Sequence, residues 1–242
     1  MNIVLKDISL IEKDVIREGH KATGQTIAIL GRSGRGKSTL FKCLTGLIKP
    51  TSGRVLIPDG EQAKEVCEGD IGFVDQKYTL FRHKTMYQIL QYALRKDKRS
   101  TKEKNDFINQ YLVEWDLIEH KDKYPNELSG GQRQRTAILE QMVTSKHFIV
   151  LDEPASGLDV SSIEKMKRAI GNILTNDELN TIIFSTHDLR LAVELADSIY
   201  IIGHPEPTST YSTILKHFDL KQMGFAWEPW GDKHRNLVEE IK

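Results

Sequence analysis

The sequence predicts an α/β protein in which a lobe of alternating strands and helices is interrupted by an α-helical lobe. Three observations lead there. Residues 26–30, Thr-Ile-Ala-Ile-Leu, form a short apolar run ending at glycine, the pattern of a buried strand. From about 84 to 144 the pattern turns helical, and charges crowd residues 95–106. Strand signals resume at 147–151, 181–185 and 198–202, with helical patterns between them.

The elements follow in order. After the first strand, residues 38–47 read as a helix, closed by Lys49-Pro50. Short strands are expected at 54–57 and 71–74. Within the helical stretch, Ser100-Thr101-Lys102-Glu103 has capping-box form. Beyond it Phe107, Ile108, Tyr111, Leu112 and Trp115 share one face at helical spacing, which suits core packing. The charge run suits a solvated helix and loop. The expected division is a single domain. Residues 1–83 and 145–203 form the α/β lobe, 84–144 the helical lobe and 204–242 a tail.

Composition narrows the classes. At 242 residues, with 39% hydrophobic and 28% charged, the chain suits one large globular domain or a domain with an inserted lobe. Its formal net charge is zero, so no nucleic-acid partner is expected. No apolar run approaches the roughly 20 residues that span a bilayer. The opening residues Met1 to Lys6 lack the pattern of a signal peptide, and two cysteines, Cys43 and Cys67, make no framework. A reducing cytoplasm is the expected compartment, with any membrane role reached through a partner chain.

Gly31, Arg32, Ser33, Gly34, Arg35, Gly36, Lys37, Ser38 and Thr39 fit G-x-x-x-x-G-K-[ST], between a strand and a helix. Glycines there let backbone N–H groups close on phosphate oxygens, and the helix aims its positive end at the same point. The segment resembles the phosphate loop of P-loop NTPases, a resemblance that implies a RecA-like α/β lobe. Lys37 is expected to bridge the β- and γ-phosphates of ATP, and Ser38 to ligate Mg²⁺. Residues 148–153, Phe-Ile-Val-Leu-Asp-Glu, are an apolar strand delivering two carboxylates. Asp152 suits Mg²⁺ through a water, and Glu153 suits a general base on the attacking water. Leu128-Ser129-Gly130-Gly131-Gln132 precedes a helical run, with Ser129 in the N-cap place. Ser129 and the N–H groups of Gly130 and Gly131 would make a second anion site. Two phosphate cradles for one nucleotide make sense when they face each other across a dimer.

These motifs, in this order, make the chain resemble the ATP-binding cassette of ABC-type transporters over roughly residues 24–202. The resemblance implies further roles. The signature motif Ser129 to Gln132 of one subunit closes on the γ-phosphate held by the other. Gln76, at the junction of the lobes, reaches Mg²⁺ and the attacking water. His187 matches the switch histidine, a γ-phosphate contact, and Asp159 a contact across the dimer. The implied protein is an ATP-hydrolysing motor, peripheral on the inner face of the cell membrane, held there only by a transmembrane permease. A second nucleotide-binding subunit is implied, most simply an identical one. A coupling helix of the permease is expected near Lys77 to Arg82. Residues 186–197 resemble solute importers, loosely the nitrate, sulfonate and taurine group. The rival is a soluble ABC ATPase acting in translation or DNA repair. Those relatives usually carry two cassettes or a long coiled-coil insertion, and this sequence has neither. One departure is clear: no Phe, Tyr or Trp occurs in residues 1–23 to stack on adenine. Ile11, Val15 or His20 would have to serve. The tail is too short for the extra β-domain of some relatives, and its Trp227 and Trp230 are expected to pack.

Overall fold

The computed structural model describes residues 2–5, 8–10, 24–59, 62–144, 147–228 and 230–241. Its centre is a seven-stranded sheet in the order β1-β9-β8-β2-β7-β6-β5. Strands β2 (Gln25–Leu30), β5 (Gly72–Val74), β6 (Phe148–Leu151), β7 (Thr181–Thr186) and β8 (Ser198–Gly203) run parallel. β9 (Tyr211–Asp219) adds antiparallel to β8, and β1 (Asn2–Ile3) lies parallel to β9. A hairpin, β3 (Leu56–Asp59) with β4 (Gln62–Glu65), stands apart.

The apolar runs follow from burial on both faces. In β2, Ala28 and Leu30 join one core while Ile27 and Ile29 join the other. In β6, Ile149 and Leu151 oppose Val150 in the same way. The second core also takes Leu40 and Phe41 of α1 (Lys37–Leu44), so α1 covers that face. The first core takes Met166, Ile170 and Ile173 of α5 (Val160–Asn176), and Leu191 and Val193 of α6 (Leu189–Leu195).

The inserted segment forms α2 (Met86–Ala93), α3 (Thr101–Glu114) and α4 (Gly130–Thr144). Ser100 and Glu103 close the expected capping box at 3.3 and 2.7 Å. Ile108, Leu112 and Trp115 are buried, with Phe107 and Tyr111 packed against the same cluster. That cluster is continuous with the first core, so the helical segment shares its interior with the sheet.

Some expectations shift. The helix expected at 38–47 ends at Leu44, because Gly46 takes a φ of 72° that a helix does not accommodate. The strand expected at 54–57 spans Leu56–Asp59. The tail holds two elements that the sequence reading did not assign, β9 and α7 (Asp232–Ile241). Trp227 and Trp230 pack against the first core, as expected, and Trp230 stacks on His234 of α7 at 5.4 Å.

Candidate active site

Parallel strands gather their carboxyl ends on one edge, and α/β sheets place ligands there. Gly31 follows β2, Gln76 follows β5, Asp152 and Glu153 follow β6, and His187 follows β7. A cleft of about 430 Å³ opens at this edge. Its lining is Ser33, Gly34, Arg35, Gly36, Lys37, Ser38, Thr39, Gln76, Asp152, Glu153 and His187. Residues far apart in sequence therefore converge as expected. Gly31 and Arg32 lie just outside that lining.

The loop glycines have different duties. Gly34 and Gly36 take φ of 77° and 90°, which only glycine adopts at little cost. Gly36 sits in the N-cap place of α1, so the loop turns its amides toward the helix start. At Gly31 a Cβ would lie 2.6 Å from the carbonyl oxygen of Ile202, so glycine is needed for the close pass beside β8. Lys37 is buried, and its ammonium donates to the Gly31 carbonyl at 2.6 Å. The same Nζ lies 3.9 Å from Oε1 of Glu153.

Ser185, a residue whose role the sequence reading missed, ties the Asp152 carboxylate to the backbone of Glu153. Its hydroxyl donates to Asp152 Oδ1 at 2.5 Å and accepts from the Glu153 N–H at 2.9 Å. Ser185 is fully buried and Asp152 only 4% exposed. A serine inside an otherwise apolar strand, just before Thr186 and His187, was the available signal. Glu153 itself has a φ of 50°, an uncommon conformation that over-determined functional positions hold. Its Oε2 lies 2.8 Å from Nδ1 of His187, whose ring is largely open to solvent.

Ser129 lies elsewhere. It caps α4: its hydroxyl accepts from the Gln132 N–H at 3.2 Å, and its own N–H donates to Gln132 Oε1 at 2.8 Å. Ser129 and Gly130 are exposed, while Gly131 is buried. Asp159 caps α5, accepting from the Ser162 N–H at 2.9 Å and the Ser162 hydroxyl at 2.8 Å. Those bonds from Ser162 hold its carboxyl below the usual range. Neither the signature residues nor Asp159 lines the cleft. Ile11, Val15 and His20, the candidates for the adenine contact, lie outside the described residues.

The profile of the ABC transporter family matches residues 20–156, more than half of the chain. This chain belongs to the ABC transporter family. Similar curated ABC proteins include the sulfate/thiosulfate import ATP-binding protein CysA of Thermosynechococcus vestitus, 37% identical over 81% of this chain and 59% of that protein. The CysA of Acinetobacter baylyi is 35% identical over 89% of this chain and 64% of its own length. This chain thus spans about three-fifths of the length of the curated relatives it first matches. A solved ABC transporter of the metal-chelate type, in an inward-facing conformation, is 26% identical with a TM-score of 0.59. That likeness covers 74% of this chain and 68% of the other. The α/β fold with a P-loop and an importer-like resemblance are thereby established for this ABC protein. No described helix is long and apolar enough to cross a membrane.

Proposed function

We propose that this chain is the ATP-hydrolysing motor subunit of an ABC importer, pairing with a second nucleotide-binding subunit around two ATP to drive a transmembrane permease. One observation carries the reading. The cleft holds a phosphate loop, two carboxylates and a histidine, while the second anion-binding turn at Ser129 is exposed and lies outside it. A nucleotide in the cleft can meet that turn only from another subunit. With its hydroxyl accepting from Gln132, Ser129 keeps its hydroxyl hydrogen for an outside acceptor such as a γ-phosphate oxygen. Val160, beside Asp159, is 78% exposed, an apolar side chain suited to cover by a partner.

In this reading the loop amides of Gly31 to Thr39 and Lys37 hold the phosphates. The Ser38 hydroxyl, the Asp152 carboxylate and the Gln76 amide oxygen are hard oxygen donors, the set Mg²⁺ takes, and Mg²⁺ there would neutralise phosphate charge. Glu153 accepts a proton from water as the water oxygen bonds to the γ-phosphorus and the bond to the ADP oxygen breaks. His187 holds the Glu153 carboxylate by their shared hydrogen bond and presents the rest of its ring to the γ-phosphate. Ser129, Gly130, Gly131, Gln132 and Asp159 complete the partner's site. Residues 84–144 form the lobe that rotates on the 1–83 and 145–203 lobe, with 204–242 as a tail. The permease docks near Lys77 to Arg82, a placement supported by Phe81 and Tyr92, 39% and 41% exposed and in edge contact at 5.2 Å. Attachment to the inner face of the membrane runs through that permease alone. The relatives named for sulfate/thiosulfate import support a small oxyanion as cargo.

The test is ATP-driven dimerisation. Glu153→Gln keeps size and hydrogen bonding but takes no proton. That variant is expected to elute as a dimer with ATP and as a monomer with ADP. Adding Ser129→Arg, which crowds the opposing γ-phosphate, is expected to restore the monomer. A dimer that survives Ser129→Arg contradicts the cross-subunit role.

A further inference from the structure

We infer that Trp230 is a positioning residue for His187, acting through its grip on Arg190 in the first turn of α6. The inference rests on the role proposed above for His187. That residue hangs between β7, which is paired on both sides within the sheet, and α6. α6 has only 7 residues, too few to persist without tertiary contacts. Its inner side is fixed by Leu191, Val193 and Leu195 in the first core. At its start the Asp188 carboxylate accepts from the Arg190 N–H at 2.9 Å and from the Leu191 N–H at 3.2 Å. The Asp188 N–H donates in turn to the Thr186 hydroxyl at 3.0 Å, so residues 186–191 close around His187. Arg190 carries the outer side of this turn. Its Nε donates to Glu194 at 2.8 Å, and its guanidinium lies 4.9 Å from the centre of the Trp230 ring, whose electron-rich face attracts a cation.

The tail holds that ring in place. His234 of α7 is buried, its Nδ1 accepts from the Gly231 N–H at 3.1 Å, and its Nε2 donates to the Phe225 carbonyl at 3.2 Å. One imidazole thus ties the segment from 225 to 234 together, and Trp230 stacks on it. Trp227 has a different neighbour: its ring would lie 3.8 Å from a Cβ at Gly171, in the middle of α5. Both tryptophans also line a cavity of about 950 Å³ between the tail, α5, α6 and the end of α3, so neither ring is packed solid on every side. The tail therefore reaches two helices by two separate rings, and Trp230 is the one that grips the helix after the switch histidine. Loss of that ring frees Arg190, loosens the first turn of α6 and lets His187 drift from Glu153, its partner at 2.8 Å. The phosphate loop follows a different strand, β2, and keeps its own support.

Two measurements on the full chain test this. One is steady-state ATP hydrolysis, and the other is the NMR signals of the His187 ring, identified by their loss in His187→Gln. Trp230→Ala is expected to lower kcat about threefold to tenfold, with KM for ATP nearly unchanged, and to move the His187 signals. Trp230→Phe, which keeps an aromatic face for Arg190, is expected to recover most of kcat. Trp227→Leu, which loosens the tail on α5, is expected to lower Tm while leaving kcat and the His187 signals in place. Unmoved His187 signals in Trp230→Ala overturn the inference, whatever kcat does. Moved signals with unchanged kcat overturn its catalytic half. An equal fall in kcat in Trp227→Leu also overturns it, because the tail then acts through stability in general. A parent chain that hydrolyses no ATP, alone or with a permease, refutes the proposed function, while the ring signals still decide whether Trp230 positions His187. Where circular dichroism shows Trp230→Ala unfolded, Arg190→Gln removes the cation and leaves the ring. Moved signals and a lower kcat then support the inference, and the absence of either overturns it.

Discussion

Replacing Ser185 by alanine isolates the tie between the Asp152 carboxylate and the backbone of Glu153. The substitution deletes a hydroxyl that donates to buried Asp152 and accepts from the Glu153 N–H. A hydrogen bond to a charged group contributes about 1.5–3 kcal/mol, and a buried N–H left without a partner costs about 1–3 kcal/mol. Partial relaxation of Glu153 toward solvent trims the sum, so a loss of about 2–4 kcal/mol is expected. For a chain of this size that corresponds to a fall in Tm of about 5–15 °C. Chemical denaturation gives the first number and calorimetry the second. Turnover should fall at least about tenfold at saturating ATP, since small displacements of a reacting group are costly. KM for ATP should change less, because Lys37 and the loop amides are untouched. A variant within about 0.5 kcal/mol of the parent, with unaltered turnover, would refute the argument that Ser185 holds this pair.

Other expectations follow from single residues. Lys37→Ala should lose tight ATP binding while remaining folded by circular dichroism; titration calorimetry with unchanged affinity would remove the lysine from the phosphate site. With no aromatic residue before Gly24, stacking on adenine worth roughly 1–3 kcal/mol is missing or replaced, so ATP and GTP should be hydrolysed at similar efficiency. A preference for ATP beyond about a hundredfold, roughly 2.7 kcal/mol, would show that another contact reads the base. Glu140, in α4, has its carboxyl pushed up to about 7 by burial. The folded protein therefore holds a proton there that the unfolded chain releases near its ordinary value of 4.5, so stability falls as pH rises from 4.5 through about 7. Glu140→Gln should erase that slope, gaining about 1–3 kcal/mol at pH 8 and almost nothing at pH 4, as read by urea unfolding.

Much of the site was legible in the chain because its parts are short and locally determined. A phosphate loop needs glycines at fixed offsets, and Gly34 and Gly36 show why in their positive φ. Burial on both faces wrote β2, β6 and β7 as apolar runs. The role of Ser185 was hard to read because its two partners lie more than thirty positions away, and a serine in an apolar strand does not by itself name the carboxylate and the amide that it joins. Gly131 has a packing constraint that was invisible for the same reason: only the position of Ser162 shows what a side chain there would strike. β9 escaped because Tyr211, Leu215, Lys216 and His217 are exposed, so the strand shows no clean apolar alternation. Its strand character comes from pairing with β8, a tertiary cause.

The place of β2 in the sheet bears on how the chain is made. β2 carries the phosphate loop, yet its neighbours on both sides are β7 and β8, which begin at Thr181 and Ser198. A ribosome delivers Gln25 to Leu30 first and must then synthesise more than 150 further residues before either flank exists. Throughout that interval a strand apolar on both faces, with unpaired edges, has no native partner, and long-range parallel pairing is slow to close even when the partner arrives. The early segment is thus the one most in need of shelter during translation. Its nucleotide loop acquires its shape only when the final third of the chain has emerged.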